Sequence, residues 1–172
     1  MKVSADGKKK WALLLAKPAA ASGIPSLTEL NAGTDFSCAV LESDINWSRA
    51  ASDRINEKVS CQVGNSEALG AANYDLALTF VREFLTAEGG PDITAGDKAY
   101  QALKKSGTEA WIYLRESAKY STAAWAATDV IELGGRVVTD GPMRVNNDGN
   151  IKRRIAFLAQ EMVTEVTVGA GV

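Results

Sequence analysis

The chain has 172 residues, 46% of them hydrophobic and 23% charged, which suits one domain, residues 1–172, with a real core. Its formal charge is -2 and it contains no histidine. That balance argues against a general nucleic-acid or membrane-surface binder, and the missing imidazole removes the commonest general base and transition-metal ligand.

The opening MKVSADGKKKWALLLAKPAA sets lysines ahead of an apolar run, in the manner of a signal peptide. The run Trp11 to Ala16 is shorter than the ~7–15 residues of an export core, and Lys17-Pro18 interrupts it, so no export signal is read. No stretch approaches the ~20 apolar residues that cross a bilayer, so no membrane partner is expected. Residues 1–10 read as an arm, and Trp11–Ala16 as a first strand buried on both faces. Lys17 to Pro25 is loop. Ser26 and Glu29 have capping-box spacing and Asn31-Ala-Gly33 supplies a stop, predicting one or two helical turns.

Phe36 to Trp47 alternates, with Ala39, Leu41, Ile45 and Trp47 opposite Glu42, Asp44 and Asn46. An excursion of about 48–72 follows. Inside it Arg54 to Val63 alternates again, Ile55, Val59, Cys61 and Val63 opposing Arg54, Asn56, Lys58, Ser60 and Gln62. Gly64 to Ala72 is a turn-rich break, and Tyr74 to Phe84 is another alternating strand. Thr94 or Asp97 can cap a surface helix over Asp97–Lys105, docked by Ala99, Tyr100 and Leu103. Glu109 to Glu116 alternates. Val130 to Thr139 is β-branched around Gly134-Gly135, which predicts a bulge or bend. A turn follows, tipped by Asn147-Asp148-Gly149.

The closing KRRIAFLAQEMVTEVTV, Lys152 to Val168, fits a period of two and a period of 3.6 about equally. The β-branched density of Val163–Val168 decides for strand, with a bend near Ala159–Glu161 left open. The whole predicts a mainly β chain of seven or eight strands with one principal helix, a two-sheet sandwich or opened barrel.

No phosphate loop, dinucleotide fingerprint or nucleophile elbow is present. Glu42/Asp44 and Glu161/Glu165 could hold a hard cation or serve as acid and base, but alternate carboxylates on strands read as a solvated face. No catalytic, cofactor or metal residue is assigned. Cys38 and Cys61 match no zinc spacing; a disulfide stays open, and buried free thiols are the preferred reading. Trp11, Trp47, Trp111 and Trp125 read as core or interface anchors. Six carboxylates between Glu29 and Glu57 face only Arg49 and Arg54, whereas Lys8-Lys9-Lys10 and Arg144 with Lys152–Arg154 are basic. Such separated charge lets copies of one chain meet head to tail.

The order of these segments, above all SLTELNAGTDFSCAVLESDINW (Ser26 to Trp47), NYDLALTFVREF (Asn73 to Phe84), EAWIYLRES and the closing TEVTV, resembles the major tail tube protein of long, noncontractile phage tails. The resemblance implies a β-sandwich flanked by a helix, six copies closing into a ring around a continuous inner barrel, and rings stacking into a tube that conducts DNA. It implies as partners the chain itself, tape measure protein, tail terminator and baseplate proteins, in the virion and earlier in the host cytoplasm. By position, Glu42, Asp44, Asn46, Asn56, Ser60 and Gln62 are the expected lumen-facing residues. Lys8, Lys9, Lys10, Trp11, Arg49, Asp53, Arg153, Arg154 and Val166 are the expected stacking or inter-subunit residues. Rival readings are another tail ring protein (terminator or baseplate hub), a secretion-system tube of the same fold, or a small enzyme or ligand-binding barrel using Glu and Asp.

Overall fold

The computed structural model describes residues 3–61, 63–64, 67–146 and 148–169. Among these, nine strands run β1 (Lys9–Leu14), β2 (Thr34–Asp35), β3 (Val40–Ala50), β4 (Arg54–Asn56), β5 (Glu67–Leu69), β6 (Asn73–Val81), β7 (Glu109–Glu116), β8 (Val130–Arg144) and β9 (Lys152–Thr167). Two short helices are α1 (Leu27–Ala32) and α2 (Lys98–Leu103). Seven strands form one antiparallel sheet in the order β2-β1-β7-β8-β9-β6-β3, and β4 with β5 make a separate ribbon. The expected sandwich or opened barrel thus takes its opened form, a single sheet curled so that its two halves face each other.

Length makes the curl. β8 and β9 span 15 and 16 residues, and their lower portions serve the half that holds β7 and β1, while their upper portions serve the half that holds β6 and β3. Two register slips let the pair bend, one between Arg136 and Val137, where Gln160 is the extra residue, and one between Thr139 and Pro142. FLAQEM is therefore strand, and the bend left open at Ala159–Glu161 is that first bulge.

Between the halves lies the main core. An aromatic chain crosses it from Phe80 to Phe36 (5.8 Å), Trp11 (5.8 Å), Trp47 (5.3 Å, edge-on) and Phe157 (5.7 Å). Trp47 Nε1 also donates to the Leu133 carbonyl at 3.2 Å, pinning β3 across the core to β8. A second core forms behind β1 and β7, where Ala12, Trp111 and Tyr113 meet Leu30 of α1, Trp125 and Val168. Residues Ala110 to Arg115 are consequently all buried, because this strand has a core on each face. β1 is likewise buried on both sides, as its apolar run predicts.

α1 begins at the predicted cap. The Ser26 hydroxyl accepts from the Glu29 N–H (3.3 Å), and the Glu29 carboxylate accepts from the Ser26 N–H (2.7 Å). At α2, Asp97 occupies the N-cap position but turns its carboxylate to Arg82, accepting from Nε at 2.6 Å and Nη2 at 2.7 Å. Ala99, Tyr100 and Leu103 dock the helix as predicted.

Two expectations are corrected. Arg54–Val63 is not one long strand: β4 stops at Asn56, and Ile55, Val59 and Val63 are exposed. Its alternation implies a buried face, yet among the described residues no layer covers the ribbon. Both cysteines are free and exposed rather than buried, Cys38 in the turn between β2 and β3 and Cys61 at the ribbon's far end.

Candidate assembly surfaces

The outward face of β3, β6 and β9 is polar and paired within itself. Leu76, Leu78 and Phe80 point into the core, so Asp75, Ala77 and Thr79 point away. The Thr79 hydroxyl donates to Asp44 at 2.5 Å, and Arg154 makes an ion pair with the same carboxylate. These two side chains close over Thr79, which is fully buried despite its outward direction. The Thr79 hydrogen bond, with Arg154 and Lys152 nearby, holds the Asp44 carboxyl below the usual carboxylate range against slight burial. Asn46 donates to Asp75 at 2.6 Å one rung away.

Glu42, exposed at the start of β3, pairs with Lys9 at 2.6 Å, and Lys9 also lies 3.6 Å from Glu116 across the β1–β7 ladder. One lysine thus spans the mouth where the curled sheet's two ends approach. Burial draws the Lys9 ammonium downward, but Glu42 and Glu116 outweigh it and leave it raised. Lys10 points the other way, is buried, pairs with Asp35 and donates to the Ser121 carbonyl at 2.8 Å. Lys8 places its ammonium 3.2 Å from the centre of the Tyr120 ring, a cation–π contact that lays the described part of the arm against the loop after β7.

The structure therefore brings Asp44 and Asn46 together on one face, while Glu42, within a register slip between Val40 and Ile45, turns to Lys9 at the mouth. It sets Asn56 and Ser60 on the ribbon, away from them, and Gln62 lies outside the described residues. Trp11 is sealed in the core at 1% exposure. Arg49 is exposed and donates to Ser52 (3.3 Å), and Asp53 accepts from Asn73 (2.8 Å), so both stand at the ribbon's root. Arg154 shares the face of Asp44, Arg153 lies on the opposite side of β9 opposite Phe80, and Val166 is half-buried opposite Ile131 near the end of β9. Sequence reading passed over Asp75, Thr79 and the partnership of Arg154 with Asp44. The polar face of NYDLALTF signalled the first two; nothing local signals a partner 110 residues away.

A hollow of about 410 Å³ opens between the β2–β3 turn, the end of β6 and the loop before α2, lined by Asp35, Ser37, Cys38, Arg82 and Glu83. Two of its charged groups are already engaged, Asp35 with Lys10 and Arg82 with Asp97. Among the described residues no group of three or more Cys, Asp or Glu side chains is arranged to hold a metal ion. No helix among them is long and apolar enough to cross a membrane.

A curled antiparallel sheet with a self-neutralised wet face, a projecting ribbon and an uncovered apolar set defines a structural β protein built around contact surfaces. Set against known protein families, the chain matches the phage tail tube protein over residues 1–171, and it belongs to that family. Its role is structural, in the tail tube of the virion, and membership implies self-association and contact with other tail components. A comparison with curated proteins finds no match.

Proposed function

We propose that six copies of this chain close into a ring, that rings stack into a hollow tube, and that genomic DNA passes through it from capsid to host cell. Assembly takes place in the host cytoplasm, with tape measure, terminator and baseplate proteins as the other contacts. The observation that carries the reading is β3, an 11-residue strand that among the described residues is hydrogen-bonded only to β6, in a chain of the tail tube family. Such an edge is a liability in a solitary molecule and a joint in a ring. Negative-stain imaging of the purified protein before and after concentration is the test. Hollow tubes support the proposal; single rings point to a terminator or hub, and particles that stay solitary refute it.

In this reading the outward face of β3, β6 and β9 lines the bore. Its carboxylates Asp44 and Asp75 are balanced by Arg154 and Lys152, so the face is close to neutral and offers phosphate no net attraction. Asp44 holds Thr79 and Arg154 in place and Glu42 holds Lys9 at the mouth, so the charge is better reversed at exposed Asp75. D75K is expected to leave tubes intact and slow DNA delivery, read as a drop in infectivity. Unchanged infectivity removes the face from the bore.

Stacking falls to the ribbon and the N-terminal arm. Ile55, Val59, Val63 and Leu69 are uncovered, Val63 at 100% and Leu69 at 80% exposure, which fits a segment whose cover is the next ring. Replacing residues 52–71 with a short Gly-Ser link is expected to leave the thermal midpoint of the subunit within a few degrees and abolish tubes. Tubes of normal length from that variant exclude the ribbon from stacking.

A further inference from the structure

We infer that Leu41–Asp44 of β3 is a clasped edge: ion pairs from Lys9 and Arg154 draw this stretch against its own subunit, and release of the Lys9 clasp is the step that admits a second copy. The clasp stands on contacts within the subunit; its part in assembly rests on the tube reading proposed above.

β3 keeps one register with β6 from Ile45 to Ala50 and meets it again at Val40. Between those points β3 runs from Val40 to Ile45 while β6 runs only from Phe80 to Leu78. Among the described residues Leu41–Asp44 therefore has no rung opposite it in β6, and the strand bows there.

Side chains fix the bowed stretch. Glu42 accepts from Lys9 of β1 at 2.6 Å, while Asp44 takes Arg154 of β9 and the Thr79 hydroxyl. One anchor pulls across the mouth of the curled sheet and the other across its outward face. They are unequal. Asp44 has two partners, and Thr79 beneath it is fully buried. The Glu42 side chain is 59% exposed, and its partner Lys9 is shared with Glu116 at 3.6 Å. Among the described residues Lys9–Glu42 is also the one ion pair that joins β1 to β3.

An unpaired strand edge is a template for any chain that meets it, and proteins blunt such edges with bulges and charged side chains. β3 has both in one place, in a chain whose family implies self-association. A covering layer would blunt the edge for good. An ion pair that faces water blunts it reversibly, because such pairs are weak and salt screens them. Lys9 is thus the side of the clasp that opens, and Arg154 the side that stays.

Salt and two substitutions test it. Lys9→Met keeps an unbranched stem and removes the charge. Glu42→Gln removes the charge on the other side, at an exposed position, and so reads the clasp even where the loss of Lys9 disturbs β1. In unassembled subunits, amide exchange at residues 41–44 is expected to quicken about three- to fivefold in each variant, the scale of one exposed pair, with β7 unchanged. Unchanged exchange at 41–44 overturns the clasp, whatever the protein builds. Tube formation by the wild type, followed by light scattering, is expected to be about three- to fivefold faster in about 1 M than in about 0.1 M sodium chloride, as the screening length falls from about 10 Å to about 3 Å. Both variants are expected to assemble at the faster rate in either salt. Variants no faster than wild type overturn the release step and leave the tube reading standing; protein that never assembles, wild type included, overturns both.

Discussion

Replacing Asp129 with Asn is expected to cost the subunit about 3–5 kcal/mol, the range for removing one partner of a buried ion pair. Arg115 is fully buried on β7, and its Nη1 reaches Asp129 at 2.9 Å and the Ala124 carbonyl at 3.1 Å, while Nη2 donates to the Tyr120 carbonyl at 2.9 Å. Asp129 is 5% exposed and also accepts from Lys119 (2.5 Å) and the Ala126 N–H (3.0 Å). The pair gathers the whole connection between β7 and β8 around one cation. With Asn in place the guanidinium keeps its charge and loses its counter-ion in a site water does not reach. Urea denaturation of the subunit measures the loss; a change under 1 kcal/mol refutes the role assigned here.

The same group sets a pH dependence. Burial pushes the Asp129 carboxyl up, but Lys119, the Ala126 N–H and Arg115 together hold it below the usual carboxylate range. A carboxyl depressed in the folded state contributes stability that is present above its unfolded pKa of about 4 and lost as pH falls through its folded value. Wild-type stability is therefore expected to fall below about pH 4, and the Asn variant to show less of that fall.

Gly135→Ala is expected to destabilise by about 3 kcal/mol or more, at the upper end of single substitutions. Gly135 has φ of +146°, outside the range L side chains favour, and an added Cβ would collide with the Glu161 carbonyl of β9. That collision involves backbone on both sides, at the bulge where β8 and β9 turn from one half of the sheet to the other, so no side-chain rotation relieves it. The curl is the element at risk. A thermal midpoint within two degrees of wild type would show that the bend does not depend on this glycine.

Several of these features were legible in the sequence because they are local. Glu109–Glu116 is a strand over the span its alternation marks out, and Ser26 with Glu29 forms the predicted capping box. The glycine pair of β8 marked a bulge or bend, and the slip falls just beyond it, between Arg136 and Val137, with Gln160 of β9 as the extra residue. What stayed hidden is the partner of each face. Alternation says that Asp44 and Thr79 lie opposite apolar neighbours, but not that they meet each other or that Arg154 covers both. It also misleads at 54–63, whose alternating residues read as a long strand, although among the described residues of that stretch only Arg54–Asn56 pairs. Lys9 shows the same limit, since a lysine before an apolar run reads as a free arm and in the fold bridges Glu42 and Glu116.

The pairing of charges on the outward face of β3, β6 and β9 has a consequence for whatever moves past it. Arg154 and Asp44 are monopoles locked into a short dipole, whose field dies away with distance faster than that of a lone ion. For a bore lined by this face, a travelling polyanion would meet a nearly flat electrical landscape a few ångströms from the wall, with neither a deep well to arrest it nor a steep hill to climb.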